Sequence, residues 1–334
     1  MPEGGAFLRQ TGNAMSGMFV SYATTKQFNK QNMKQLKPFD VIIVGGSYAG
    51  LAAGMALGRA LRKVLIIDAG NPCNKQTPHS HNFLTNDGRT PKEIARLAKQ
   101  QVRRYGSVRF VEGFATAGTK TKDGFEVQIQ TGESFAARKL IFATGIKDLM
   151  PDLPGFVESW GVSVLHCPYC HGYEVRHQKT GILANGDTGY ELATLISNWT
   201  TDLTLYTNGQ STLNKEQRAK LEKHRIAVVE TEIDQLENEN GSIRNLVFKD
   251  GTKAPAKALY ARLPFVQHSA IPKTLGCGLT EEGYIKVDPA QKTTVDGVYA
   301  CGDNAARMRT VANAVSMGTT AGMMVNKELI EERF

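Results

Sequence analysis

Phe39-Asp40-Val41-Ile42-Ile43-Val44-Gly45-Gly46-Ser47-Tyr48-Ala49-Gly50 carries the most structural information in this chain. Its opening residues form an apolar, β-branched run, the composition of a strand buried on both faces. The glycines stop the strand, and a helix of small residues is expected from Leu51 to about Leu61. Val64-Leu65-Ile66-Ile67-Asp68 reads as a second buried strand, ending on an acid eighteen residues after Gly50. Together these make the βαβ unit that holds a dinucleotide. A pyrophosphate needs a tight turn, a close backbone approach and a helix N-terminus carrying partial positive charge. Gly45 supplies the turn and Gly50 the close helix–strand packing, while Ser47 stands where the middle glycine is expected. Asp68 is placed to accept from ribose hydroxyls. The competing reading is a glycine-rich turn that binds nothing.

Further along, a second unit repeats the pattern. Thr180 to Ala184 reads as a strand, Asn185-Gly186-Asp187-Thr188-Gly189 as a turn, Tyr190 to Trp199 as a helix and Leu203 to Tyr206 as a strand. Between the two units, Gly124 and Gly132 flank short alternating strands, a β-meander. Gly297 to Asp303 is a late strand ending in Gly-Asp, and a helix from about Thr310 to Glu331 closes the chain. The fold class is therefore α/β, with two doubly wound, Rossmann-like nucleotide-binding domains.

Composition supports a globular enzyme. The 334 residues are 41% hydrophobic and 22% charged, enough for two cores. No window approaches the ~18 apolar residues of a membrane span. The net charge of +8 includes +4 from residues 1–37, where Arg9, Lys26, Lys30, Lys34 and Lys37 face Glu3 alone. The remaining +4 is dispersed without a basic run, which argues against nucleic acid. Residues 1–36 lack periodicity and read as a disordered leader, an added segment or an extension upstream of Met33. A transit peptide fits their few acids but not their single arginine, and Met18 to Ala23 is too short for a secretion signal. Five cysteines are too few for a disulfide scaffold, which points to a reducing compartment, the cytoplasm.

His166-Cys167-Pro168-Tyr169-Cys170-His171 places two thiols at the spacing of an easily exchanged disulfide. A c-type haem site would need export. A zinc site would need four ligands crowded into six residues, which cannot easily surround one ion. Two buried structural thiols form the third alternative. Cys301 reads as core, and Cys73 and Cys277 carry no assigned role.

With the dinucleotide loop, the Ala143-Thr144-Gly145 turn, Cys167-Pro168-Tyr169-Cys170 and Gly302-Asp303 followed by Arg309-Thr310-Val311, the chain resembles the low-molecular-weight thioredoxin reductase family from Phe39 to Phe334. The resemblance implies an FAD domain split in sequence over 37–150 and 276–334, an NAD(P)-type domain over 151–275 carrying the cysteine pair, and a homodimer. It assigns Gly45, Gly46, Ser47, Gly50 and Asp68 to the ADP half of FAD. Gln76 and Asn82 fall in a flavin-side loop, and Ala115 matches a backbone contact to adenine. Thr144, Gly145 and Gly302 join the same set, and Asp303 would bind the ribitol. Arg309, Thr310 and Val311 would bring the last helix to the flavin pyrimidine carbonyl, although a plain helix start explains Arg309 and Thr310 too. Cys170 would face the flavin and Cys167 would exchange with substrate, a thioredoxin-like protein or a small disulfide or dithiol. Where thioredoxin reductases have an aspartate after the second cysteine, this chain has His171, a candidate acid/base that titrates near neutrality. His166 is the alternative, or neither serves.

Two departures bear on direction. The second loop reads Ala184-x-Gly186-x-x-Gly189, and its strand ends in Thr207-Asn208-Gly209 where the family carries a His-Arg-Arg cluster. A nicotinamide 2′-phosphate needs such cationic donors, so the NAD(P)H site is degenerate. Cys167 to Glu174 is more similar to dithiol oxidases of the gliotoxin-reductase type, which pass electrons from a dithiol to oxygen. The resemblance therefore supports a thioredoxin-disulfide reductase-like flavoprotein. A dithiol oxidase, a reductase fed by ferredoxin and a non-enzymatic flavin-binding protein remain as alternatives.

Overall fold

The structure, a computed structural model, describes residues 38–334. The expected leader over residues 1–36 lies outside the described residues.

β1 (Phe39–Val44), α1 (Tyr48–Arg59) and β2 (Val64–Asp68) form the first βαβ unit, and α2 (Pro91–Val102) leads to β3 (Val108–Glu112). α2 starts on a capping box, with Thr90 accepting from the Glu93 amide and Glu93 reaching back. β4 (Ala115–Thr121), β5 (Gly124–Ile129) and β6 (Ser134–Phe142) follow as an antiparallel meander whose last strand returns to the parallel sheet. Ile43 sits in register with Ile66 of β2 on one side and Ile141 of β6 on the other. All three isoleucines are fully buried, each contributing about 2–3 kcal/mol of apolar burial.

β7 (Ile146–Asp148) carries the chain out of this sheet. The next unit contains α3 (Phe156–Ser159), β8 (Val164–Leu165), α4 (Pro168–His171), β9 (Thr180–Leu183), α5 (Gly186–Ile196), β10 (Leu203–Tyr206), α6 (Lys215–Lys223) and β11 (Ala227–Val229). A second antiparallel meander, β12 (Ile233–Glu239), β13 (Ser242–Phe248) and β14 (Lys253–Pro255), was not apparent from the sequence. β15 (Ala258–Ala261) completes a parallel sheet in the order β11-β10-β9-β15-β8. β16 (Phe265–Gln267) then pairs antiparallel with β7, so outgoing and returning chains run side by side.

α7 (Ile271–Thr274) brings Ile271 and Leu275 into the first sheet's core. β17 (Val298–Ala300) adds to β6, and α8 (Val311–Glu331) packs along α1. The two helices nearly touch. A Cβ at Gly318 would lie 2.1 Å from the Ala49 carbonyl oxygen, and one at Gly322 would lie 2.7 Å from that of Ala53.

Both helices after the glycine turns begin earlier than their composition indicates, at Tyr48 rather than Leu51 and at Gly186 rather than Tyr190. Glycine has low helix propensity, so the reading left it in the turn. Here the turn's last residues already form the helix's first winding.

Candidate functional site: a cavity flanked by the cysteine pair

The first glycine turn cannot accept larger residues. Gly45 has φ +107°, and a Cβ there would meet the Ala143 carbonyl oxygen at 2.2 Å. A Cβ on Gly50 would lie 1.9 Å from the Gly45 carbonyl oxygen. α1 therefore starts directly on the β1 and β6 ends. Ser47 caps it in an extended conformation without a side-chain hydrogen bond, leaving its hydroxyl free. Asp68 Oδ1 accepts from the amides of Gly46 at 3.2 Å and Gly70 at 3.3 Å, and Lys99 Nζ lies 4.0 Å from Oδ2.

A cavity of about 460 Å³ opens over this turn. Gly45, Gly46, Ser47 and Asp68 line it, as do Ala115, Thr144 and Gly145. Gly302, Asp303, Arg309, Thr310 and Val311 also reach it from the last part of the chain. Gly50 packs beneath the turn instead. Gln76 and Asn82 do not line the cavity: Gln76 lies against Gly161, and Asn82 takes a left-handed φ of 57° with its amide donating to Asp87.

Asp303 is held at the cavity by three neighbours. Cys73 Sγ is 3.8 Å from its Oδ2, and Arg309 Nε is 3.7 Å away. Burial pushes the Asp303 carboxyl upward despite the arginine. Arg309 is chiefly engaged elsewhere, because its two terminal nitrogens donate to both Asp148 oxygens at 2.8 Å. That bidentate pair fixes the start of the last segment to β7. Thr310 Oγ1 then accepts from the Asn313 amide at 3.1 Å and caps α8. Asn304, fully buried, donates to the Phe142 carbonyl and to Thr144 Oγ1, tying the Gly-Asp strand end to the Ala143–Gly145 turn.

Cys167 and Cys170 form a disulfide with their Cα atoms 5.3 Å apart. Tyr169, between them, is exposed, and its ring stands edge-on to Trp199 at 5.5 Å. His166 lines the cavity, and its Nε2 is enclosed without a hydrogen-bond partner. Burial first, and then the Arg309 charge, bring its pKa down to about 4. His171 also falls to about 4, through burial and then the neighbouring His81. The expectation of a His171 titrating near neutrality therefore fails while the disulfide is closed, because the sequence does not report burial. Cys73, buried against two acids, is pushed up to about 12 and is no thiolate. Cys301 and Cys277 are core, Cys277 donating to Thr293 Oγ1.

The donor set suits a flavin dinucleotide. The glycine turn and Asp68 match a ribose–pyrophosphate. Two enclosed nitrogens without partners, His166 Nε2 and Arg309 Nε, lie where polar ligand atoms would satisfy them. Sequence reading missed Asp148, Asn304 and Cys73. None belongs to a spaced motif, and only the fold joins them to the cavity.

The second glycine turn is organised differently. Asn185 Oδ1 accepts from the amides of Gly186 and Thr212, both at 2.8 Å, while its Nδ2 donates to the Gln210 carbonyl. Thr212 Oγ1 lies 2.8 Å from where a Gly186 Cβ would be. Asp187 puts a carboxylate in the first turn of α5, accepting from Gln217 Nε2 at 2.7 Å. At the following strand end, the Asn208 side chain accepts from the Ile233 amide and Thr207 Oγ1 donates to the Gly209 carbonyl. Among the described residues no helix is long and apolar enough to cross a membrane.

Comparison with known proteins gives a consistent picture. The sequence pattern of the pyridine nucleotide-disulphide oxidoreductases matches residues 39–318. Thioredoxin reductase tcpT of Claviceps purpurea is 33% identical over 306 residues, covering 88% of this chain and 95% of that protein. Thioredoxin reductase aclD of Aspergillus oryzae is 31% identical, covering 87% and 96%. An oxidoreductase from Agrobacterium tumefaciens superposes with a TM-score of 0.83 at 36% identity, covering 88% of this chain and 99% of its own. HlmI superposes at 0.84 with 30% identity, covering 89% and 94%.

Proposed function

The chain belongs to the pyridine nucleotide-disulphide oxidoreductase family, and on that premise we propose that it moves electron pairs between FAD in the 460 Å³ cavity and the Cys167–Cys170 disulfide. The observation that carries this reading is continuity. His166, the residue before Cys167, faces the cavity that the glycine turn and Asp303 line.

Gly45, Gly46, Ser47 and Asp68 would hold the adenosine–pyrophosphate half, with Ala115 beside adenine, and Gly50 would keep the turn tight. Thr144, Gly145, Gly302, Asp303 and Val311 would hold the other half. Bound flavin supplies a two-electron store at the pair. Cys170 takes the cavity side and Cys167 exchanges with an outside disulfide or dithiol. Opening the disulfide creates a thiolate beside His171. An anion nearby favours the charged imidazole, so the histidine that is neutral beside the closed disulfide picks up a proton as the pair is reduced. Arg309 acts by anchoring to Asp148 rather than through free charge.

Relatives named thioredoxin reductase favour a nicotinamide-fed reductase, acting in a reducing compartment such as the cytoplasm, on a thioredoxin-like protein or a small disulfide, as a homodimer. One observation favours a second reading. The start of α5 is already filled by Asn185 and Thr212 and carries Asp187, which repels a pyrophosphate. In that reading a dithiol supplies the electrons and oxygen or another acceptor takes them. Anaerobic flavin absorbance separates the two. Bleaching by NADPH or NADH supports the reductase and identifies its donor. Bleaching by a dithiol alone supports the second reading. Retention of dithiol–disulfide turnover in Cys167→Ser would refute both.

A further inference from the structure

His81 lies on the loop between β2 and α2, which is held by reciprocal backbone bonds, Ser80 N to the Arg89 carbonyl at 2.8 Å and Gly88 N to the Ser80 carbonyl at 2.9 Å. Its ring sits between two carboxylates, with Nδ1 3.7 Å from Asp87 and Nε2 3.6 Å from Glu174. Asp87 is fixed by the Asn82 amide at 2.7 Å. Glu174 lies three residues beyond His171, in the turns that continue α4. The loop of the first βαβ unit thus places an imidazole against the segment of the redox pair. The groups facing it are Asp87 and His79 on its own loop, the His79 ring at 6.4 Å, and Glu174 and His171 on the facing segment. His81 keeps 22% of its side chain exposed.

We infer that His81, held by Glu174 and Asp87, is the positioning residue through which His171 exchanges protons with water. The inference rests on the function proposed above and deepens it. Reducing the disulfide takes two electrons and two protons. A reduced nicotinamide brings two electrons and one proton, so the second proton comes from water. With the pair reduced, Cys167 is a thiolate, Cys170 a thiol and His171 protonated. Cys167 displaces one sulfur of a substrate disulfide, forming a mixed disulfide, and the released thiolate takes the His171 proton. Cys170 passes its proton to the vacated imidazole, and its sulfur displaces the second substrate thiolate from Cys167. That thiolate takes the proton in turn. The disulfide is closed again, two substrate thiols have left, and His171 is neutral. It must be recharged from outside while itself buried. His81 is the exposed imidazole beside it, and its carboxylates favour the charged form that donates.

The test uses the flavin-loaded protein, reduced with excess dithiothreitol and desalted anaerobically. The rate of Cys167 alkylation by iodoacetamide is followed from pH 5 to 9, alongside turnover of a small disulfide. For His81→Gln we expect turnover at pH 7 to fall about tenfold, toward the lower end of acid–base contributions. The ionisation near neutrality should leave the alkylation profile, and the double variant with His171→Gln should be no slower than His171→Gln alone. Glu174→Gln keeps the imidazole but removes one carboxylate, so its profile should shift to lower pH. That variant also decides the matter if His81→Gln does not fold. Profiles of His81→Gln or Glu174→Gln that superpose on the parent, or effects of His81→Gln and His171→Gln that multiply, overturn the inference. A Cys167 that fails to alkylate in every variant, including the parent, overturns the underlying redox reading instead.

Discussion

α1 begins over the cavity with no side-chain cap at Ser47, whereas α5 begins with Asn185 capping it, Thr212 lying over it and Asp187 in its first turn. The same strand–turn–helix pattern has thus produced one helix start open to a ligand and one satisfied by its own chain. Unpaired amides at a helix start attract an anion only while nothing else accepts from them. A glycine pattern alone does not reveal which state a turn is in. Asn185 occupies the position where a first turn with free amides would meet phosphate.

The contrast can be broken most severely at Gly45. Gly45→Val adds a side chain where φ is +107° and the Ala143 carbonyl lies 2.2 Å from the first added atom. A loss of roughly 4 kcal/mol is expected from strain and overpacking, with flavin-free protein recovered. Urea melts and the flavin-to-protein ratio measure both, and a loaded, stable variant would refute the close-packed turn.

Acid probes the other side of the molecule. His166 and His171 are both held near 4 in the folded chain against about 6.5 in an unfolded one. The unfolded state binds more protons between those values, so their stabilisation is complete above pH 6.5 and is lost as pH falls toward 4. Each accounts for about 3 kcal/mol at the acid limit. Melting temperatures between pH 4 and 7 should decline steeply for the parent and less steeply for His171→Gln. Parallel curves would contradict the burial assigned to that ring.

Asp68→Ala should weaken flavin retention by about 10- to 100-fold, the loss of one or two hydrogen bonds to a charged acceptor. Dialysis against urea-free buffer with absorbance of the released flavin reads this directly. The smallest and sharpest comparison sets Asn185→Ala beside Ser47→Ala in flavin-stripped protein. The first removes a working cap and should cost about 1 kcal/mol, while the second removes none and should change stability by a few tenths. Equal effects would mean that the two starts are capped alike.

Much of this architecture could be read from the sequence, because buried parallel strands are written in continuous β-branched runs such as Val41 to Val44 and Val64 to Ile67. The cysteine pair was equally legible, since its chemistry depends on local spacing. Long-range pairings were not. The bidentate Arg309–Asp148 bond joins residues 161 positions apart, so Arg309 looked like a ligand of the cofactor rather than an anchor for β7. Asn304 gave no hint of its bonds to Phe142 and Thr144. The pKa of His171 was misjudged for the same reason, since the surroundings that bury it come from distant parts of the chain. The meander of β12, β13 and β14 escaped notice because its alternation is short and interrupted by register shifts.

The close crossing of α8 over α1, with Gly318 against Ala49, has a consequence for biosynthesis. A ribosome emits α1 early and α8 last, with the whole unit around the cysteine pair in between. Until Thr310, Val311 and the helix behind them emerge, the cavity lacks a wall and β6 lacks its β17 neighbour. The nascent chain must therefore carry an unfinished apolar face while a whole α/β unit folds beside it, a state exposed to aggregation. Capture of the flavin is a post-release event, and a chain truncated before α8 would emerge colourless however well its glycine turn had formed.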